Sequence, residues 1–98
     1  MSVTIPLTKP VKAHDEELAA LVLREPTSED VMEVGYPFLI HAGGAIELRP
    51  KVIGQYLVRL AGVPLPTVKK LPIEDLQACQ AAVLGFFGKS EDEVKPTS

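Results

Sequence analysis

Cys79 and the histidines His14 and His41 are the side chains best suited to covalent or acid–base chemistry in this chain. A Cys79 nucleophile with His41 as its base is the simplest catalytic pair on offer, and because such partners meet only in the fold, their separation in sequence does not decide the matter. No oxyanion motif accompanies them. The apolar neighbours Ala78, Ala81, Ala82 and Val83 would raise the thiol pKa and leave it inert, so Cys79 reads as a structural cysteine. Neither histidine has metal-ligand spacing to another His, Cys or carboxylate beyond the adjoining Asp15 and Glu16. His14 therefore reads as a turn residue, and His41 beside Gly43 and Gly44 as a loop residue. Gly85-Phe86-Phe87-Gly88-Lys89-Ser90 ends as a phosphate-binding loop does, but the first glycine of that motif would fall on Val83. The stretch also follows a helix instead of linking a strand to one, which makes a helix C-cap the expectation. The acidic runs Asp15-Glu16-Glu17 and Glu91-Asp92-Glu93 lie where rigidity is least expected, and acid–base catalysis needs fixed carboxylates. The residue pattern thus predicts no catalytic group, no cofactor and no metal.

The elements around these residues are legible. Val3, Ile5 and Leu7 alternate with polar or proline positions, and Pro6 and Pro10 each lack a ladder donor, which predicts an edge strand. Ala13 to Glu17 is the turn, and Leu18 to Arg24 returns with Leu21 and Leu23 on one face and Leu18, Ala20 and Val22 on the other. Thr27 is a helix N-cap with Asp30 in the capping-box position, and Val31 with Val34 or Met32 makes the apolar side of a short helix ending near Gly35. Leu39, Ile40, Ile46 and Leu48 around Gly43-Gly44 predict a second, weak hairpin. Pro50 opens an amphipathic helix carrying Val52, Ile53, Tyr56, Leu57, Leu60 and Ala61, with Lys51, Gln55 and Arg59 on its wet side and Gly62 at its close. Val63 to Pro66 is an extended connector. A third helix spans Pro72 to Phe87 with a main stripe of Ile73, Leu76, Val83, Leu84 and Phe87, widened by Cys79 and Phe86. The expected class is α+β: a small single domain over residues 1–88 with an N-terminal β-hairpin and about three helices, then a flexible charged tail over 89–98.

Composition bounds the function. A chain of 98 residues buries only about two thirds of its unfolded surface, and with 5% aromatic residues and no Trp the core must be small and aliphatic. Such cores gain from a partner or an oligomer. A net charge of −3 lacks the basic footprint of a nucleic-acid binder. Lys69-Lys70 reads as a solvated loop pair. Val34 to Ile46, a run without Asp, Glu, Lys or Arg, is broken by Pro37, Gly43 and Gly44 and falls far short of the about 20 apolar residues of a membrane span. A single cysteine fits a reducing cytoplasm, and Lys9, Pro10 and Lys12 interrupt any signal-peptide core, so a soluble protein without export is expected.

The stretches Leu7-Thr8-Lys9-Pro10-Val11 and Leu21-Val22-Leu23-Arg24-Glu25-Pro26-Thr27 resemble the opening of the tail assembly chaperones of contractile-tailed, myovirus-like phages and prophages. Leu60-Ala61-Gly62-Val63-Pro64, Leu71 to Leu76 with its Asp75, and Gly85-Phe86-Phe87 follow the same family's order, so the resemblance covers about residues 5–88. It implies a non-enzymatic chaperone in the host cytoplasm that binds the tape-measure protein and keeps it soluble until the tail tube polymerises. It also implies a possible longer, frameshifted form of the chain as a second partner. The alternative is a small structural or adaptor subunit of a tail or related assembly, acting as a homo-oligomer.

The residues add their own argument. The wide stripe of the third helix exceeds what a small core needs, which makes Val83, Leu84, Phe86 and Phe87 the first candidates for partner contact and Tyr56 and Leu57 the second. Each could instead belong to the core. That alternative is stronger for Val83 and Phe87, while Phe86 at the stripe margin fits either role.

Overall fold

The first hairpin is set by a two-residue turn. His14 and Asp15 both take positive φ, 52° and 64°, the backbone that matches the twist of two antiparallel strands. They join β1 (Val3–Ala13) to β2 (Glu16–Leu23). The computed structural model describes residues 2–94, with side chains through 88. β1 is longer than the edge strand expected from its prolines because a bulge absorbs one of them: the register slips between Pro6 and Val11. Pro10 stands inside that bulge, where no ladder donor is needed.

The slip also corrects the face assignment of β2. Ile5 opposes Leu21, but Val11 opposes Leu18, and residues directly opposite share a face. Leu18 therefore joins Leu7 in packing against the core, while Val22 is left exposed.

Thr27 caps α1 (Ser28–Val34) as expected, with both halves of the capping box formed through Asp30. Val31 and Val34 turn partly inward, and Met32 points out, 83% exposed. β3 (Phe38–Ile40) and β4 (Ile46–Leu48) form the second hairpin. α2 (Pro50–Ala61) has Pro in its first turn and the left-handed Gly62 (φ 70°) at its C-cap.

Two expectations change from here on. The connector after Gly62 is not wholly extended: Leu65–Lys69 forms a one-turn helix, α3, with Pro66 tolerated in its first turn. Among the described residues there are thus four helices, the short α3 being added to the three expected. The last helix, α4 (Ile73–Val94), also runs past Phe87, through Gly85 and Gly88, so Gly88 is not its C-cap. Residues 89–94 of the expected charged tail carry its backbone, and residues 95–98 lie outside the described residues.

The core lies between the inner face of β1–β2 and the helices. Ile5, Val11, Leu21 and Leu23 meet Val52, Tyr56, Leu57 and Leu60 of α2, Val68 of α3, and Cys79 and Val83 of α4. Ile73, expected in the α4 stripe, is 69% exposed. Its place on the inner face is taken by Asp75, a buried carboxylate.

Candidate functional site

The residues of the two N-terminal sequence stretches are brought into two polar locks. In the first, Asp30 is 1% exposed and accepts from Arg24 (2.8 and 3.1 Å) and from Arg59 Nε (2.8 Å). It also accepts from the Thr27 amide (2.8 Å) and the Thr27 hydroxyl (3.1 Å). The Arg24 hydrogen bonds are the largest cause holding this carboxyl far below the usual carboxylate range; those of Arg59 and Thr27 add to them, against a burial cost. β2, α1 and α2 are thereby tied at one point. The Arg24 amide reinforces the junction by donating to the Leu60 carbonyl at 3.1 Å.

In the second lock, Asp75 of α4 accepts from the Thr8 amide (3.0 and 3.1 Å) and the Thr8 hydroxyl (2.9 Å). The β1 bulge leaves that amide without a strand partner, and the carboxylate supplies one. Leu71, at the head of the same Leu-x-x-x-Asp stretch, is buried. The short motifs are thus structural devices: the pattern places Arg59 on the wet face of α2, and it does not foretell the Thr8–Asp75 lock. Nothing in the sequence pairs Asp30 with Arg59, which lie on different elements.

An aromatic cluster forms the third feature. The Phe87 ring meets Tyr36, Phe38 and Tyr56 with centroids 5.8, 6.0 and 5.7 Å apart, all edge to face, and Tyr36 meets Phe38 at 5.9 Å. The Tyr56 hydroxyl donates to the Gly35 carbonyl at 2.7 Å. Phe87 thus seats the root of the β3–β4 hairpin on α2 and α4.

Beyond that root the hairpin is apolar and open. Ile40 and Ile46 oppose each other and are 63% and 64% exposed. The adjoining pair, Phe38 and Leu48, shares their face. Leu48 leads into a shallow groove of about 470 Å³, lined also by Glu47, Arg49, Pro50, Lys51 and Val52.

The residues predicted for partner contact divide. Tyr56, Leu57 and Val83 are fully buried in the core, and surface contact is closed to them in this fold. Leu84, Phe86 and Phe87 are half-buried, and Phe86 and Phe87 pack against the core. Phe87 adjoins the open hairpin, through Phe38. The open hairpin face lies outside the residues expected to meet a partner, although the alternation Ile46-Glu47-Leu48 is visible in the sequence.

The chemical candidates are also placed. Cys79 is fully buried, and burial followed by the nearby Asp75 charge pushes its thiol up to about 11. His41 sits on the exposed hairpin turn with Nε2 2.8 Å from Glu47 Oε1. His14 Nε2 lies 3.3 Å from the Gly62 carbonyl. Residues 85–90 are helical, without the strand-to-helix loop a phosphate cradle requires. Among the described residues no three His, Cys, Asp or Glu side chains gather as a metal site, and no helix is long and apolar enough to cross a membrane.

No curated protein and no solved structure matches the chain. The family model for phage tail assembly chaperone proteins, described as "E, or 41 or 14", matches residues 4–88, a span that contains both locks, the aromatic cluster and the open hairpin. Covering most of the chain, this match makes it a member of the phage tail assembly chaperone family.

Proposed function

We propose that the chain is a non-enzymatic tail assembly chaperone of a contractile-tailed, myovirus-like phage or prophage. It binds the tape-measure protein in the host cytoplasm and keeps it soluble until the tail tube polymerises around it. The family match over residues 4–88 carries this reading. The fold is consistent with it: the buried acids are spent on internal locks, Cys79 is sealed in the core, and the large exposed apolar side chains of the second hairpin suit transient capture of an apolar partner.

Co-expression with the tape-measure protein of the same phage tests the proposal. A soluble complex, and more soluble tape-measure protein than in its absence, is the expected result. Failure of both this chain and a longer frameshifted form to bind or solubilise it, together with presence of the chain in finished particles, would replace the chaperone with a structural or adaptor subunit acting as a homo-oligomer.

A further inference from the structure

We infer that the apolar face of the β3–β4 hairpin, continued by the N-terminus of α2, seats an amphipathic helix that carries carboxylates along one edge of its apolar stripe. For the identity of that helix's owner this rests on the tape-measure reading above.

The hairpin calls for a cover. Two strands alone are marginal in water, and a sheet face of apolar pairs ordinarily packs on a second layer. Here Phe38 is seated against Phe87, while Ile40 and Ile46 extend the same face into solvent.

Approach is onto the face, not the edge. Both strands have three residues, Pro37 precedes β3 and Pro50 follows β4. Prolines and short strands blunt edge pairing. A helix of about 10 Å diameter covers two strands about 5 Å apart.

Charge sets the second requirement. α2 begins without a side-chain cap and without an acid in its first turn, and it presents Arg49 and Lys51 instead. Its unpaired first amides and the helix dipole add to those cations. Arg49 Nη1 donates to the neutral Tyr36 carbonyl at 3.3 Å and keeps its charge, so Arg49 and Lys51 set two cations at the groove against one acid, Glu47, whose Oε1 lies 2.8 Å from His41 Nε2. The groove edge reached through Leu48 is therefore positive in a chain whose net charge is −3. A partner stripe of leucines edged by glutamates is complementary to both features, and one edged by lysines is not.

The full chain is tested against two synthetic helical peptides of about five turns, both with one leucine stripe, one edged with Glu and its twin with Lys. Fluorescence anisotropy should show the Glu peptide binding about tenfold tighter than its twin, a difference of about 1.4 kcal/mol. Ile40→Ser with Ile46→Ser should weaken it about tenfold, and Lys51→Glu should reverse the preference between the peptides. Ile73→Ser, at an exposed apolar site on α4, should change nothing. Far-UV circular dichroism confirms that each variant is folded.

Equal binding of the two peptides, or binding indifferent to the hairpin changes, overturns the inference. So does self-association that the same changes abolish, which would assign the face to a second copy. In co-expression, folded hairpin variants that still capture the tape-measure protein would sink this surface and leave the chaperone reading standing. A wild-type chain that discriminates the peptides but never captures the tape-measure protein would do the reverse.

Discussion

Asp30 is the residue on which most of the polar architecture converges. Its carboxylate is buried, but Arg24 and Arg59 keep part of their side chains in water, so each guanidinium can be rehydrated if the pair is broken. Asp30→Asn should therefore cost about 2–3 kcal/mol, less than the loss of one partner from a fully buried pair. Urea unfolding at neutral pH measures it. The pH dependence follows from the direction of the shift. A carboxyl held lower in the folded than in the unfolded chain contributes its full stability above the unfolded value of about 4, and loses it as the pH falls below that value toward the folded one. The gap in stability between wild type and Asp30→Asn should accordingly be constant from pH 7 to about 5 and narrow below about 4. A gap that persists unchanged in acid would show that the carboxylate charge is not what the variant removes. Cys79 gives the second residue-scale expectation. With its thiol fully buried and pushed up to about 11, native protein should resist a disulfide-exchange reagent at neutral pH and react only as it unfolds. Fast reaction of the folded chain would contradict the sealed core.

Among the elements, α2 contains its own test of packing against propensity. Gly54 is buried, which suggests that it is small because α3 comes close, yet a Cβ there would stand 3.9 Å from Val68 Cγ1, ordinary contact. Gly54→Ala should raise stability by up to about 1 kcal/mol, since the helix gains propensity and the unfolded chain loses freedom. A fall in melting temperature would mean that the two helices cannot accept the methyl group. The second hairpin depends on a contact from another element. Its inter-strand pairs are short, and its root is held where Phe38 and Tyr36 meet Phe87. Phe87→Ala should cost about 3 kcal/mol and release the amides of β3 and β4 to fast hydrogen exchange, with β1 and β2 affected only through the global loss. Unchanged protection in the second hairpin would show that it is self-supporting.

At the scale of the whole molecule, two hairpins of similar sequence character have different fates. The first is pinned by side chains from three helices: Asp75 at its bulge, Thr67 Oγ1 on the Lys12 carbonyl at 2.7 Å, and Arg59 through Asp30 at its exit. The second extends from the aromatic cluster with its isoleucines in water. Amides of β3 and β4 should therefore exchange well ahead of those in β1, β2 and α2 in the native protein, by local opening below the global unfolding energy. Exchange of all four strands in one cooperative step would refute this division. The sequence by itself determined the local elements: the Thr27 capping box, the Pro50 start and Gly62 end of α2, both turns, and the α+β class, because caps, prolines, glycines and apolar periodicity act within a few residues. It also carried the family, through short motifs in a fixed order. The tertiary structure decided what depends on partners distant in the chain. The β1 bulge turned Leu18 inward, Asp75 displaced Ile73 from the inner face of α4, Arg59 left the wet side for Asp30, and Tyr56, Leu57 and Val83 went to the core while the second hairpin stayed open. Side-chain type states what a residue tolerates; which of several apolar faces is covered in a small domain is settled by the elements that arrive on it, and here those elements cover the first hairpin and leave the second.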